Sequence, residues 1–251
     1  MNRFFVSKDS FHGNKVLLGK DHAHQIRSVL RISVGDHIVI LDNQGSEYDV
    51  VLTKIRHDEV VGEVTQKRQA AGEPSVQIAL FQSLLTREKF EFVLQKGTEV
   101  GVSRFVPVIT QRTLVRETAI KPEKLDRWQR IITEAAEQSH RGRIPDLSPP
   151  VSFEMAIQKL SEFERCLIAS ESAEVGQHVT LRQALRTDKQ TSPGTIAILV
   201  GPEGGFTEQE VELAKKNGAI PITLGPRILR TETAAVVAAT LILYESGQME
   251  R

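Results

Sequence analysis

Ile198-Leu-Val-Gly-Pro-Glu-Gly-Gly-Phe-Thr-Glu-Gln-Glu210 is the stretch on which the fold turns. Its apolar lead-in, within Thr195 to Val200, reads as a strand buried on both faces. A glycine-rich turn follows, then a helix whose start is specified twice over. Thr207 and Glu210 have the spacing of a capping box, and Phe206 and Val211 that of a hydrophobic staple. Asn217-Gly218 ends the helix with residues suited to a left-handed cap. Such a unit belongs to a parallel α/β sheet, and its turn exposes backbone N–H groups at the sheet's C-terminal edge, where open α/β folds bind ligands. A tight connection that needs glycine for its backbone angles is the other reading of the same residues. Neither usual nucleotide loop is present, because Gly201-Pro-Glu-Gly204-Gly205 lacks both the GxxxxGK[ST] lysine and the GxGxxG spacing. Glu203 would repel a pyrophosphate and suits a cationic ligand or a neutral ribose.

One strand later, Leu224-Gly-Pro-Arg-Ile-Leu-Arg-Thr-Glu-Thr-Ala-Ala235 repeats the plan. A strand over 220–224 ends in Gly-Pro, passes through a basic loop and enters a helix at Thr231, with a capping hydroxyl and Glu232 as an early acid. The small residues Ala234 to Ala239 let another backbone approach closely. Arg227 and Arg230 read either as solvated loop arginines or as pocket residues. Two such turns at adjacent strand ends favour one shared pocket.

Outward from these motifs, strands alternate with helices. The pattern predicts strands at 76–81, 104–109 and 165–169, and helices at 87–100, 121–138, 155–160, 208–217 and 231–245. Residues 1–72 are instead β-rich. Short β-branched runs at 16–18, 37–41, 48–53 and 60–64 lie between turn formers, with one helical stretch from Asp21 to Leu30. This suggests a small β-barrel. Gln66 to Pro74 is polar and turn-prone, which places the domain boundary at 72/73.

GPEGGFTEQE followed by LGPRILRTETAA resembles the signature of the RsmE-type 16S ribosomal RNA uridine N3-methyltransferases of the SPOUT superfamily. Arg3-Phe4-Phe5-Val6, the stretch from His22 to Arg31, Gln95-Lys96-Gly97-Thr98-Glu99-Val100-Gly101 and Glu134-Ala-Ala-Glu-Gln138-Ser139 are similar to further family segments. The resemblance implies an α/β protein with a PUA-like RNA-binding β-barrel at 1–72. A SPOUT methyltransferase domain would occupy 73–251, closed by a C-terminal trefoil knot with loops at about 199–205 and 224–231. It also implies S-adenosylmethionine as cofactor, a homodimer, and 16S ribosomal RNA in the assembled small subunit as partner. Leu199, Val200, Gly201, Glu203, Gly204, Leu224, Gly225, Ile228, Leu229, Thr231 and Ala234 would then bind the cofactor. Uracil N3 becomes a good nucleophile only as its proton leaves, so the chemistry calls for charge stabilisation and a proton acceptor. Arg230 is the candidate for the first role. Glu232 is the candidate for the second, or an orienting carboxylate, or simply an acid at a helix start. Methylation of another RNA position and non-catalytic RNA binding are the rival functions.

Charge bears on the RNA. The chain has 32 basic and 32 acidic side chains, so diffuse basic binding is excluded. Resolved by region, 12 basic residues stand against 8 acidic across 86–143, and 10 against 14 across 144–251. Arg112, Arg116, Arg127, Arg130, Arg141 and Arg143 fall in the basic middle, whereas Arg3, Arg27 and Arg31 lie near the N-terminus. Arg3, Arg27, Arg31, Arg112 and Arg141 are the selected RNA-contact candidates. Five of the 7 histidines lie in the first region without the convergent ligands of a metal site. Cys166 excludes an internal disulfide. Lys8 and Asp9 interrupt any signal-peptide core, and Ala234–Leu243 is shorter than the ~18 residues that suggest a membrane span, so a soluble cytoplasmic protein is expected.

Overall fold

A computed structural model describes residues 1–114, 120–170, 179–185 and 194–250. They cluster into two compact units, Met1–Glu73 with Ala136–Ile144, and Pro74–Ala135 with Pro145–Arg251.

The first unit holds β1 (Arg3–Phe5), β2 (Phe11–His12), β3 (Lys15–Leu18), β4 (His37–Leu41), β5 (Ser46–Ile55) and β6 (Val60–Gln69), with the short helix α1 (Lys20–His24) continuing as a wide turn over Gln25–Val29. The six strands form one sheet in the order β1-β4-β5-β6-β3-β2, antiparallel except for β1 on β4. The sheet keeps two edges, a half-barrel rather than a closed barrel. Phe4, Val16, Leu18, Ile26, Ile38, Ile40, Val50, Leu52 and Val60 fill its inner face. Phe5, Val39 and Leu41 point the other way and are covered by Ala136 and Ile144. Burial on both sides explains why Ile38-Val-Ile-Leu41, after the exposed His37, is continuously apolar. At Gly62 a Cβ would lie 2.2 Å from Val50 Cγ1, so only glycine lets β6 pack on β5 there. Gln66–Gln69 extends β6 rather than forming a turn, because Arg68 on that stretch pairs across the ladder with Glu47 and Asp49.

The second unit holds β7 (Gln77–Ser83), α2 (Arg87–Val100), β8 (Arg104–Ile109), α3 (Pro122–Gln138, whose last turn belongs to the first unit), β9 (Asp146–Leu147), β10 (Val151–Ser152) and α4 (Phe153–Gln158). It continues with β11 (Arg165–Ala169), β12 (Val179–Thr180), α5 (Leu181–Leu185), β13 (Thr195–Val200), α6 (Glu208–Lys216), β14 (Ala219–Thr223) and α7 (Thr231–Glu245). These eight strands make a wholly parallel sheet in the order β10-β8-β7-β13-β11-β14-β12, with β9 beside β8. Helices cover both faces. Phe81, Ile168, Ala197 and Leu199 pack toward α4 and α6, where Phe153, Phe206 and Val211 complete the core. α7 lies on β7 and β13 and against α2 and α5. Cys166 is buried in β11, its Sγ 3.1 Å from the Leu160 carbonyl oxygen, and burial raises its thiol pKa. Among the described residues, no helix is long and apolar enough to cross a membrane.

Candidate active site

The first glycine turn leaves β13 and the second leaves β14, both at the C-terminal edge. The two strands are not neighbours, because β11 runs between them. The turns therefore frame a three-strand gap, and Ala169 and Ser170 at the end of β11 contribute to its lining. The resulting cavity has a volume of about 520 Å³. Its walls are Val200 to Phe206 from the first turn, Leu224, Gly225 and Arg227 to Glu232 from the second, Ala234 from α7, and Lys89 and Arg112 from outside both motifs.

The first turn is held from several sides. Gly205 N–H donates to the Pro202 carbonyl at 2.9 Å. A Cβ on Gly201 would come within 3.2 Å of the Gly205 and Phe206 backbone, so any larger residue would push the turn open by a few tenths of an ångström. The capping box is formed: Thr207 N–H donates to Glu210 Oε2 at 2.8 Å, and Glu210 N–H donates to Thr207 Oγ1 at 3.2 Å. Glu210 Oε1 also accepts from Gln111 N–H at 2.8 Å. Arg112 donates to the Gly204 carbonyl at 2.7 Å, so this guanidinium grips the turn.

The second turn is joined to the first through Thr231. Its hydroxyl donates to the Gly201 carbonyl at 2.5 Å and accepts from Gln82 Nε2 at 3.1 Å. This replaces the capping role expected for that hydroxyl; the N-cap position is Arg230, which makes no side-chain cap.

Polar groups remain to be matched. Among the described residues, Ser170 Oγ and Glu232 Oε2 are buried without a hydrogen-bond partner, as are Gln82 Oε1 and Ser83 Oγ at the end of β7. At the rim, Lys89 Nζ donates to Glu203 Oε1 at 2.8 Å. Burial alone would raise the Glu203 carboxyl, but the Lys89 hydrogen bond, a backbone bond and the Lys89 charge together hold it below the ordinary carboxylate range.

Of the residues expected on the ligand, Val200, Gly201, Glu203, Gly204, Leu224, Gly225, Ile228, Leu229, Arg230, Thr231, Glu232 and Ala234 line this one cavity. Leu199 does not: at 1% exposure it faces the α4/α6 core, as strand alternation requires for the neighbour of Val200. Lys89 and Ser170 were missed. No motif marks either, although both follow the C-terminal ends of sheet strands, where ligands gather.

The arginines divide. Arg3 is buried against Glu47. Arg141 is 2% exposed and gives Nε and Nη2 to the two Glu73 oxygens at 3.0 and 2.9 Å. Both guanidiniums are thus engaged by carboxylates within the first unit. Arg112 lines the cavity, and Arg127 pairs with Glu91. Arg143 donates to the Gln44 carbonyl at 3.1 Å. Arg130 is exposed, and Arg116 lies outside the described residues. Arg27 lines an exposed cleft with Lys20, Asp21, His24 and His57, and Arg31 is exposed with φ 54°. His22 is instead part of the core edge, its ring edge-on to Phe4 and its pKa lowered by burial.

Comparison with known proteins agrees with this architecture. Residues 72–243 match the family described as RNA methyltransferase domain, and residues 18–65 the RNA methyltransferase PUA domain. The chain is 32% identical over 227 residues to Ribosomal RNA small subunit methyltransferase E of Bacillus subtilis, covering 90% of this chain and 88% of that protein. Among solved structures, it is similar to Ribosomal RNA small subunit methyltransferase E from Neisseria gonorrhoeae bound to S-adenosyl methionine. There the TM-score is 0.85 at 32% identity, over 97% of each chain. A putative methyltransferase of Legionella pneumophila in complex with the same cofactor has a TM-score of 0.83 at 28% identity, over 96% of each chain. The half-barrel is thus PUA-like and the parallel α/β unit SPOUT-like. With the family model spanning most of its length and the relatives matched nearly end to end, the chain belongs to the ribosomal RNA small subunit methyltransferase E family.

Proposed function

We propose that this protein uses S-adenosylmethionine to methylate N3 of a specific uridine in 16S ribosomal RNA, giving 3-methyluridine in the small ribosomal subunit. The observation that carries the reading is the single cavity built from both glycine turns in a chain of this family. The residues suit the cofactor. Leu224, Ile228 and Leu229 offer apolar contact to a flat neutral base, the Gly201–Gly205 backbone permits close approach, and Glu203 suits ribose hydroxyls and a sulfonium charge. Ser170 Oγ, buried and without a partner among the described residues, is available to a bound polar group. When bound, the cofactor supplies an electrophilic methyl group.

The chain's own residues then prepare the uracil. Glu232, with one buried oxygen unpartnered, accepts the N3 proton. Arg230 stabilises the negative charge that develops on the ring. Residues 1–72 form the RNA-binding domain and 73–251 the catalytic domain. Loops 199–205 and 224–231 form a trefoil knot; the Thr231–Gly201 bond, which ties the second turn across the first, supports this. The working unit is a cytoplasmic homodimer acting on the assembled small subunit. Incubating subunits from a strain that lacks this gene with the purified protein and S-adenosylmethionine should restore 3-methyluridine on nucleoside analysis. A methylated nucleoside of another kind would replace the N3 assignment, and failure to bind S-adenosylmethionine by calorimetry would sink the enzyme reading.

A further inference from the structure

The rim of the cavity carries more charge than the two motifs supply. Glu203 and Glu232 share the lining with Lys89, Arg112, Arg227 and Arg230. Arg112 is engaged at the Gly204 carbonyl. Lys89, in the first turn of α2, reaches Glu203, and both side chains are about one-third exposed, at 34% and 29%. Arg230 has no ion-pair partner among the described residues. A carboxylate sharing a cavity with arginines is drawn to them, because a guanidinium offers two parallel donors where an ammonium offers a point charge. Were Glu203 to close on Arg230, it would fill those donors and cancel the charge meant for the substrate.

We propose that Lys89 is a positioning residue: by holding Glu203 at the mouth, it keeps that carboxylate off Arg230 and leaves the guanidinium for the uracil. This rests on the role given to Arg230 above. The neighbours of Lys89 on α2 cannot substitute, since Glu88 has the wrong charge and Arg87 pairs with Glu91. The ammonium is raised chiefly by its hydrogen bond to Glu203. It also feels Glu232 and, in the opposite sense, Arg230.

The test is a cycle of Lys89→Ala, Glu203→Gln and the double variant. Single-turnover methyl transfer to small subunits is read beside calorimetric binding of S-adenosylhomocysteine. Lys89→Ala alone should slow transfer by about 30-fold; Glu203→Gln, at a residue that also faces the cofactor, sets its own reference rate, measured with S-adenosylmethionine saturating. The double variant should return to the Glu203→Gln rate, because the competing carboxylate is gone. The S-adenosylhomocysteine affinity of Lys89→Ala should stay within about 3-fold of the wild-type value, and Lys89→Arg should retain most of the rate. A double variant slower than Glu203→Gln by the same factor as Lys89→Ala is slower than wild type overturns the proposal, as does a loss of cofactor-product affinity in Lys89→Ala that matches its loss of rate. If the wild-type protein binds S-adenosylhomocysteine yet forms no 3-methyluridine, the activity reading itself fails, a result distinct from either.

Discussion

The Thr231 hydroxyl lies 2.5 Å from the Gly201 carbonyl oxygen and donates to it, tying the first residue of α7 to the first glycine of the other turn. Gln82 Nε2 donates to the same hydroxyl at 3.1 Å. Thr231→Val keeps the shape but leaves a buried carbonyl and amide each short of a partner. It should cost about 2 kcal/mol and weaken S-adenosylhomocysteine binding, whereas Thr231→Ser should be nearly neutral. Thermal unfolding and calorimetry on the two variants check this; equal behaviour of Val and Ser would show that the bond does not organise the site.

Gly201→Ala addresses the turn itself. The added methyl meets backbone at 3.2 Å, which cannot move as a side-chain tip can. Opening the turn should lower S-adenosylhomocysteine affinity by about 10-fold or more, with at most about 1–3 kcal/mol of stability lost. Unchanged affinity would mean that this turn does not shape the cofactor pocket.

Arg230→Ala should reduce methyl transfer by at least about 100-fold while S-adenosylhomocysteine binding stays intact. Near-normal turnover would remove Arg230 from the mechanism.

Arg27 and Arg141 should separate RNA contact from structure. Arg141→Ala breaks a buried pair with Glu73 and should destabilise the protein by about 3 kcal/mol, leaving the salt dependence of RNA binding unchanged. Arg27→Ala, at an exposed cleft, should leave the melting temperature alone and reduce the slope of log affinity against log salt by about 1. Filter binding across a salt series decides; a flat Arg27→Ala comparison would place the RNA elsewhere.

Acid should loosen the packing of α3 on α2 through Glu91. The Arg127 hydrogen bond leads the effects that hold the Glu91 carboxyl below its ordinary value, outweighing burial. A native carboxyl pKa below the unfolded one means stability present above the unfolded value, about 4.3, and lost as pH falls through the native value. Glu91→Gln should therefore be less stable at pH 7 and lose less on acidification to pH 3 than the wild-type protein. Parallel melting curves for the two proteins at both pH values would count against this linkage.

What was legible from residues alone was local and strongly patterned. The α6 start announces itself because Thr207, Glu210, Phe206 and Val211 satisfy a cap and a staple at once. β9, β10 and β12 span two residues each, too few for any periodicity to register. Gln66–Gln69 looked like a turn because polarity hides a strand whose charges are paired across a ladder. The insertion of β11 between β13 and β14 is a long-range choice that neither motif encodes, and with it went Ser170. Lys89 sits on an ordinary helix turn; only its meeting with Glu203, 114 positions away, makes it part of the site. Arg3 and Arg141 show the converse limit, since an arginine in sequence carries no label saying whether a carboxylate has already claimed it.

The return of Ala136–Ile144 to the unit that begins the chain has a practical consequence. A gene fragment ending at 73 would strip the cover from Phe5, Val39 and Leu41 and remove Arg141, together with two backbone donors at 142 and 143, from Glu73. The half-barrel unit is not one contiguous stretch of chain and cannot be cut out as a cassette. An expression clone meant to isolate it would need a short linker carrying 136–144 behind the first 73 residues. Grafting the half-barrel onto another enzyme would need the same splice.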